Sequence, residues 1–406
     1  MRTPATSSKE KNPEAVREFP GQVLAAVRKV LPSAERSYPL HEPLFVGREW
    51  EYVKDCLDTG MVSSVGNYVD KFERMLEKYT GAQHAVAVVN GTAGLHIAMK
   101  LSGVQPGDEV LVPALTFVAT ANAAVYCGAT PHFVDSEETG LGLNPEKLRD
   151  YLSEQTELRN GACVNRATGK TIRAMVPMHT FGHPSDLGQL MDMAEQFHLA
   201  LVEDAAESLG SFYRDRHTGT LGQLGVVSFN GNKIITTGGG GAILTNQPNL
   251  AQRAKHLTTT AKLPHPWDYR HDEIGHNYRL PNLNAALGCA QMEQMPSLIA
   301  AKRQLHDHYR SALKGIKGLT LFEERNYCRS NYWLETVLLD RGLEHYLRPI
   351  LENLHREKIF ARPAWTPLHQ LKPFRRFPRM NLQFAESLAA RILNLPSSPA
   401  LAGEFC

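Results

Sequence analysis

Residues 226–241 have the sequence VVSFNGNKIITTGGGG, in which a short apolar run leads into Lys233 and then into four consecutive glycines. The apolar run is typical of a buried β-strand. Glycines allow close backbone approach and unusual dihedral angles around a ligand, and we see no packing purpose for this run. A lone lysine in a loop is usually solvated. Here the buried strand before it and the glycines after it favour a reactive amine that is shielded from water.

Short apolar segments recur on the N-terminal side of this stretch and alternate with segments of helical spacing. The predicted strands are 84–89, 110–113, 132–134, 174–176, 200–202 and 226–229, and the predicted helices between them include 92–100 and 184–197. Short continuous apolar strands that alternate with helices are typical of α/β proteins, whose sheet is mostly parallel and covered on both faces. The sequence therefore predicts an α/β fold with a mostly parallel sheet.

The two ends of the chain differ from this central part in composition and in sequence pattern. The first twenty residues are polar and are expected to form a flexible arm, and the helical spacing of Val23, Val27 and Leu31 predicts a short helix after it. A long helical stretch begins at about residue 281, and the remainder is richer in arginine, proline and aromatic residues. We predict an N-terminal arm with a short helix at 1–45, a large α/β domain at 46–290 and a small α+β domain at 291–406.

The composition is that of an ordinary water-soluble protein. The 406 residues carry a formal net charge of +2, which gives no electrostatic argument for nucleic acid or a membrane surface as a partner. The six cysteines are scattered without a CxxC pair, which argues against a disulfide framework or a zinc site. His179 and His183 lack the glutamate of an HExxH motif, so we predict no metal. Without a secretory signal or a transmembrane run, a cytoplasmic location is expected.

Candidate ligand-binding residues follow the predicted strands, because ligands bind beyond the carboxyl ends of the strands in parallel sheets. Asn90 to Ala93, at a helix start, is a candidate phosphate seat, although an ordinary strand–helix turn with Thr92 as the cap has the same pattern. Phe117 is either a ring that stacks on a flat ligand or a core residue. The acids of EDAAE at 203–207 need a cationic partner, which a pyridinium nitrogen would supply, unless the segment is an exposed loop.

Five motifs in the chain together resemble a known family. They are NGTAGL at 90–95, PALTFVAT at 113–120, EDAAE at 203–207, SFNGNK at 228–233 and GHNYRLP at 275–281. In this order they resemble the DegT/DnrJ/EryC1/StrS sugar aminotransferases, enzymes of fold type I that depend on pyridoxal 5'-phosphate (PLP), over residues 41–401. The resemblance implies a sheet of the seven-stranded type between helices, with a smaller C-terminal α+β domain.

The resemblance also implies a role for each candidate site residue. Lys233 would bind PLP as a Schiff base and then act as the catalytic base, and Asp204 would pair with the pyridinium nitrogen. Phe117 would lie on the face of the cofactor ring. Glu207 stands where many family members have Gln or His near the phenolic oxygen of the cofactor, so we expect its carboxyl to be protonated or turned toward a donor.

The cofactor phosphate has its own implied set of ligands. Thr92, the amide of Ala93 and Ser228 would hold it from one subunit, and Asn277 would reach it from the partner subunit. Such shared active sites imply an obligatory homodimer. For the sugar-nucleotide pocket, Trp365 and His369 are further hypotheses, and the alternative for Trp365 is a place in the core of the C-terminal part.

Two segments narrow the implied reaction further. SFNGNKIITTGGGG at 228–241 and PLHEP at 39–43 most resemble the branch of the family that is named for legionaminic acid biosynthesis. That branch implies transfer of an amino group from L-glutamate to C4 of a UDP-linked 4-keto-6-deoxy-N-acetylhexosamine, for a surface polysaccharide or a nonulosonic acid. Two alternatives stay open: a PLP-dependent sugar dehydratase, in which His replaces the Schiff-base lysine, and a non-catalytic cofactor-binding regulator. The presence of Lys233 favours transamination.

Overall fold

The computed structural model describes residues 13–403, with side chains from residue 18 onward, so residues 1–12 of the predicted arm lie outside the described part. The α-helices are α1 (Pro13–Val30), α2 (Glu49–Asp58), α3 (Asn67–Thr80), α4 (Gly91–Leu101), α5 (Val118–Tyr126), α6 (Pro145–Gln155), α7 (Leu187–Gln196), α8 (Pro248–Thr258), α9 (Asn282–Glu293), α10 (Met295–Leu313), α11 (Leu347–Arg356) and α12 (Gln383–Arg391). The strands are β1 (His84–Val88), β2 (Glu109–Pro113), β3 (Thr130–Val134), β4 (Thr156–Arg159), β5 (Ala162–Asn165), β6 (Thr171–Met175), β7 (Ala200–Asp204), β8 (Phe212–Tyr213), β9 (Arg216–His217), β10 (Leu224–Ser228), β11 (Gly241–Thr245), β12 (Leu319–Leu321), β13 (Cys328–Arg329), β14 (Glu335–Leu339), β15 (Arg362–Pro363) and β16 (Ile392–Leu395).

The large sheet has the strand order β1-β11-β10-β7-β6-β2-β3, and the β4–β5 hairpin extends it from β6. The five strands from β10 to β3 along this order are parallel, whereas β11 runs antiparallel to both of its neighbours. The predicted α/β fold with a mostly parallel sheet of the seven-stranded type is therefore confirmed. All six predicted strands and the helices at 92–100 and 184–197 are present, with small shifts at their ends.

Strand β11 was not predicted, and it gives the glycine run the packing purpose that the sequence interpretation denied. Gly241 opens this strand against the start of α4. A Cβ atom on Gly241 would lie 2.8 Å from the Asn90 carbonyl carbon and 2.9 Å from the Val227 carbonyl oxygen, so only glycine allows this approach. Gly238, between Lys233 and β11, has a φ of 78°, in the left-handed region that favours glycine. At least part of the glycine run thus shapes the fold as well as the loop.

The helical stretch predicted from residue 281 consists of two helices, α9 and α10, separated at Gln294. Pro296 lies in the first turn of α10 and cannot donate the amide hydrogen that a continuous helix requires. The prediction of one long helix was wrong for this reason. The side-chain amides of Gln291 and Gln294 both donate to Glu49, which ties the break between the two helices to α2.

A second sheet, antiparallel and of order β12-β14-β16-β15, forms in the C-terminal part of the chain. Its apolar side chains share a buried cluster with Val23 and Val27 of α1 and with Leu305 and Tyr309 of α10. Helix α1 begins at Pro13, so residues 13–20 are helical rather than part of a flexible arm. The division of the chain near residue 290 stays a prediction. Within residues 13–403, no helix combines the length and the apolar character that crossing a bilayer requires.

Candidate active site

A cavity of about 660 Å³ opens where the carboxyl ends of the parallel strands meet the C-terminal part of the chain. The predicted site residues that line it are Thr92, Phe117, Asp204, Glu207, Ser228 and Lys233. They come from the ends of β7 and β10, the starts of α4 and α5, and the loop that follows β10. The topology therefore brings together residues that are up to 141 positions apart in the sequence. Ala93, Asn277 and His369 do not line the cavity.

Asp204 ends β7 and is buried, with 3% of its surface exposed. Its carboxylate accepts hydrogen bonds from the Thr120 hydroxyl at 2.7 Å and from the Ala206 amide at 3.2 Å. Burial raises the pKa of Asp204, because a charge is costly away from water. Within residues 18–403 no basic side chain forms an ion pair with it. This carboxyl faces the cavity without a cation and so fits a positively charged ligand atom.

The neighbouring acid, Glu203, has a different environment. Its carboxylate contacts His179 Nε2 at 3.0 Å and accepts three backbone amides from residues 219–222 at 2.6 to 2.7 Å. Burial alone raises the pKa of Glu203, but these hydrogen bonds outweigh it and lower the pKa overall. Glu203 is fully partnered within the protein and therefore serves the fold. The two acids that the sequence placed together thus separate into one structural group and one group that faces the cavity.

The Lys233 amine projects into the cavity from the loop after β10. Its Nζ lies 3.4 Å from Glu207 Oε1 and 3.9 Å from the centroid of the Trp333 ring. The backbone amide of Lys233 donates to the Asn230 carbonyl at 3.0 Å, which closes the tight turn that aims the side chain inward. The lysine is therefore shielded from bulk water, as the sequence predicts, with 13% of its side chain exposed.

Glu207 is buried between two donors. One carboxylate oxygen accepts the Phe181 amide at 2.9 Å, and the other faces Lys233. Burial raises the pKa of Glu207 to about 7, and the nearby Lys233 charge limits the rise. The carboxyl is thus turned toward donors, which is one of the two arrangements expected for an acid at this position.

The start of α4 supplies the candidate phosphate seat. Thr92 and Ser228 line the cavity there, and a Cβ atom on Gly91 would lie only 3.1 Å from Ser228 Cβ, so glycine keeps the two elements close. The cap of α4 is Asn90 rather than Thr92, because Asn90 Oδ1 accepts the Ala93 amide at 2.8 Å. The expected contribution of the Ala93 amide is therefore not supported, since this donor is already used within the helix.

Aromatic side chains frame the mouth of the cavity. Phe117, just before α5, lines the cavity with 51% of its surface exposed, which argues against a core role. Trp365 also lines the cavity and stacks on Phe181 with ring centroids 4.8 Å apart. His369 was hypothesised to join them, but it is buried outside the cavity with Nε2 2.9 Å from Glu386. His369 lies four residues beyond Trp365, in a short 3-10 helix at Leu368–Gln370, and does not share the cavity with it.

Asn277 lies on the surface, in a segment that bridges to Thr259 next to α8. It does not reach the cavity of its own chain. Large apolar side chains close to it in sequence are strongly exposed, among them Trp267 at 76% and Ile274 at 83%. Exposed apolar residues of this size are typical of surfaces that another chain covers.

Five residues of the C-terminal part line the cavity without being singled out by the sequence: Trp333, Leu334, Arg362, Pro363 and Asn394. Arg362 on the edge strand β15 is paired in register with Asn394 on β16, so the two residues lie side by side in the small sheet. No local motif marks them, because their shared position arises only when this sheet packs against the large one. Within the described chain, Arg362 makes no ion pair, which leaves its guanidinium available to an anionic ligand.

The cavity fits the cofactor that the resemblance implies. A buried carboxyl without a cation, a shielded amine, a helix start and an exposed aromatic face all line one space. These groups match the pyridinium nitrogen, aldehyde, phosphate and ring face of PLP in turn. Asp204, Lys233, Thr92, Ser228 and Phe117 are the residues that would hold it.

Comparisons with known proteins agree with this fit. The model of the DegT/DnrJ/EryC1/StrS aminotransferase family matches residues 45–405. The chain is 36% identical over 367 residues to the GDP-perosamine synthase of Escherichia coli O157:H7, covering 90% of this chain and 94% of that protein. It is 37% identical over 330 residues to EpsN of Bacillus subtilis (strain 168), assigned as a pyridoxal phosphate-dependent aminotransferase, covering 81% and 82%.

A solved structure also matches over most of its length. The aminotransferase TlmJ from Streptoalloteichus hindustanus superposes with a TM-score of 0.80 at 27% identity, covering 90% of this chain and 94% of that one. The sequence and structure matches thus extend over both sheets and the cavity between them. The chain therefore belongs to the DegT/DnrJ/EryC1/StrS aminotransferase family.

Proposed function

We propose that this PLP-dependent sugar aminotransferase moves an amino group from L-glutamate to C4 of a nucleotide-linked 4-keto-6-deoxy sugar. The observation that carries the proposal is that Lys233 and Asp204, from different strand ends, line one shielded cavity. An amine and a buried acid on one ligand are what a transaminase needs, whereas a dehydratase of this fold has His in place of the lysine. The intact lysine and acid also disfavour a non-catalytic regulator.

The roles of the residues follow from their positions. When bound, PLP supplies a protonated heterocycle that withdraws electrons from the substrate carbon. Asp204 holds a proton on the ring nitrogen, and Lys233 Nζ moves the proton at the reacting carbon. Thr92 and Ser228 bind the phosphate at the start of α4, and Phe117 orients the ring from its exposed face. Glu207 orients the lysine, since its carboxyl lies 3.4 Å from Nζ.

We propose a homodimer in which each cavity is completed by the partner subunit. Asn277 is exposed and does not line the cavity of its own chain, which leaves it available to a cavity on another chain. The exposed apolar residues near it, such as Trp267 and Ile274, support burial of this segment against a second copy. The partner subunit's Asn277 would then bind the cofactor phosphate.

Two nucleotide sugars are candidate acceptors. The motif resemblance favours a UDP-linked 4-keto-6-deoxy-N-acetylhexosamine, and a product for a surface polysaccharide or nonulosonic acid. The GDP-perosamine synthase relative favours a GDP-linked keto sugar. Both carry a diphosphate, and Arg362 at the cavity edge is a suitable partner for it. Residues around Trp365 and Phe181 offer stacking surfaces for rings of either substrate.

Two experiments test the proposal: borohydride trapping of the cofactor on its lysine, and incubation with a set of nucleotide-linked keto sugars. Purified protein is reduced with borohydride and digested, and mass spectrometry is expected to find the cofactor on Lys233. Separately, the protein is incubated with ¹⁵N-labelled L-glutamate and UDP- or GDP-linked keto sugars, and NMR of the product locates the new C–N bond. A cofactor tag on another lysine, or the absence of label from every sugar product, would overturn the proposal.

A further inference from the structure

The indole of Trp333 covers one side of the Lys233 amine. The ring centroid lies 3.9 Å from Nζ, well within the distance at which an aromatic face attracts a cation. The indole N–H donates to the carbonyl oxygen of Asn232, the residue before Lys233, at 2.7 Å. One side chain from the C-terminal part of the chain thus holds both the amine and the backbone beside it.

The backbone amide and the backbone carbonyl oxygen of Trp333 are both hydrogen-bonded. Its amide donates to Asn331 Oδ1 at 2.8 Å, and its carbonyl oxygen accepts a hydrogen bond from Lys302 Nζ at 3.0 Å. Asn331 in turn donates to the carbonyl oxygens of Glu207 and Leu209, each at 2.9 Å. The position of the indole is therefore set by the same segment that carries Glu207.

Lys302 lies on α10 and is completely buried, which is unusual for a lysine. Besides Trp333, its amine donates to the carbonyl oxygen of Ser397 at the end of the small sheet. Burial lowers the pKa of Lys302 to about 7, although the negative charge of Glu335 acts in the opposite direction. A lysine buried at such a cost, away from the cavity, calls for a positional role.

Resting on the assignment of Lys233 as the cofactor lysine, we propose that Trp333 is a positioning residue. Its indole face contacts the Lys233 ammonium whenever that amine is not bound to the cofactor. Lys302 holds Trp333 in this position through its hydrogen bond to the Trp333 carbonyl oxygen. Glu207 faces the same ammonium from 3.4 Å, so the cation rests between a carboxyl and a ring face. An amine held there stays close to its point of reaction and is protected from reagents in solution.

The chemical reactivity of Lys233 tests this proposal. The full chain, stripped of cofactor, is treated with an amine-acylating ester, and the rate at each lysine is followed by mass spectrometry. In Trp333→Leu, acylation of Lys233 is expected to be about tenfold faster than in wild type, because the cation loses its aromatic partner and its cover. Trp333→Phe keeps a ring face but loses the bond to Asn232, and should give an intermediate rate.

Trp365→Leu is the matched control, since it removes an indole from the same cavity that stacks on Phe181 rather than on Lys233. It should leave acylation of Lys233 within about twofold of wild type. Lys302→Met should raise the rate less than Trp333→Leu does, through the loss of one anchor. If Lys302→Met does not fold, the Trp333 series still decides the question.

The outcomes separate the inference from the proposed function. A borohydride-trapped cofactor on Lys233 with unchanged acylation in Trp333→Leu would refute the positioning role alone. Equal acceleration in Trp333→Leu and Trp365→Leu would also refute it, because simple opening of the cavity would then explain both. A trapped cofactor on a different lysine would remove the proposed function itself.

Discussion

The cavity has two walls of different origin. One wall comes from the ends of β7 and β10 and carries Asp204, Glu207 and Lys233, with contacts to their partners of 2.7 to 3.4 Å. The other wall comes from the small sheet and its surroundings, and carries aromatic rings with the Arg362 guanidinium at the edge. The first wall concentrates ionisable groups in a buried place, whereas the second offers flat surfaces and one available cation.

The difference between the walls indicates that they have different roles in the reaction. Buried ionisable groups that are held by close contacts, as in the first wall, are suited to moving protons. Aromatic faces and an exposed guanidinium, as in the second wall, are suited to holding a ligand or a neighbouring side chain in place. Substitutions in the first wall should therefore lower turnover, and substitutions in the second should alter binding.

The largest effect is expected for Lys233→Ala in the first wall. Loss of the amine removes the group that moves the proton, so turnover with L-glutamate and the keto sugar should fall by at least about a thousandfold. PLP should still bind without a covalent link, because the other cavity residues remain. Absorbance spectra before and after dialysis measure this retention. Lys372→Ala, at an exposed lysine outside the cavity, is the control and should keep full activity.

The adjacent acids of the first wall give the second prediction. Asp204→Asn removes a cavity-facing charge and should lower turnover about a hundredfold or more. Glu203→Gln places an amide against the backbone donors of residues 219–222 and should lower the free energy of unfolding by about 1–3 kcal/mol. The folded Glu203→Gln protein should keep its turnover within about twofold. Equal losses of turnover in both variants would contradict the separation of these acids into two roles.

Glu207 gives a pH-dependent prediction. Its pKa in the folded chain is about 7, above the ordinary value of 4.5, so the folded state binds more protons than the unfolded state between these pH values. Stability must therefore fall as pH rises through this window. In the cofactor-free chain, Glu207→Gln should gain up to about 3 kcal/mol relative to wild type between pH 4.5 and 7.5. Urea unfolding at both pH values measures this difference, and a constant gap between the two proteins would contradict it.

The two walls also differ in how far the sequence revealed them. Lys233 and Asp204 stand directly after apolar strands, and parallel strands bring their carboxyl ends to one edge, so local patterns sufficed to group them. Trp333 and Arg362 have no such local signal, because they reach the cavity through packing of a separate sheet. The Ala93 amide shows a related limit of the sequence, since only the structure reveals that this amide donates to the Asn90 side chain.

The same distinction explains the errors in the fold. Apolar strands flanked by polar turns were predicted correctly, but β11 was missed, because its first residue, Gly241, was interpreted only as part of a ligand loop. The close approach of Gly241 to Asn90 is a contact between distant parts of the chain and leaves no periodic pattern. The break at Gln294 was available in principle from Pro296, since proline is typical of a first helical turn.

The smallest effect belongs to Arg362, at the edge of the second wall. If its guanidinium binds the diphosphate of the acceptor, Arg362→Ala should raise KM for the nucleotide sugar about tenfold. KM for L-glutamate and kcat should change little, because Arg362 stands on the small sheet and not among the ionisable groups of the first wall. Arg376→Ala removes the same charge from an exposed site outside the cavity and controls for general electrostatics. A tenfold rise for glutamate alone would instead assign Arg362 to the carboxylate of the amino donor. An unchanged KM for both substrates would contradict a role for Arg362 in binding either anionic group.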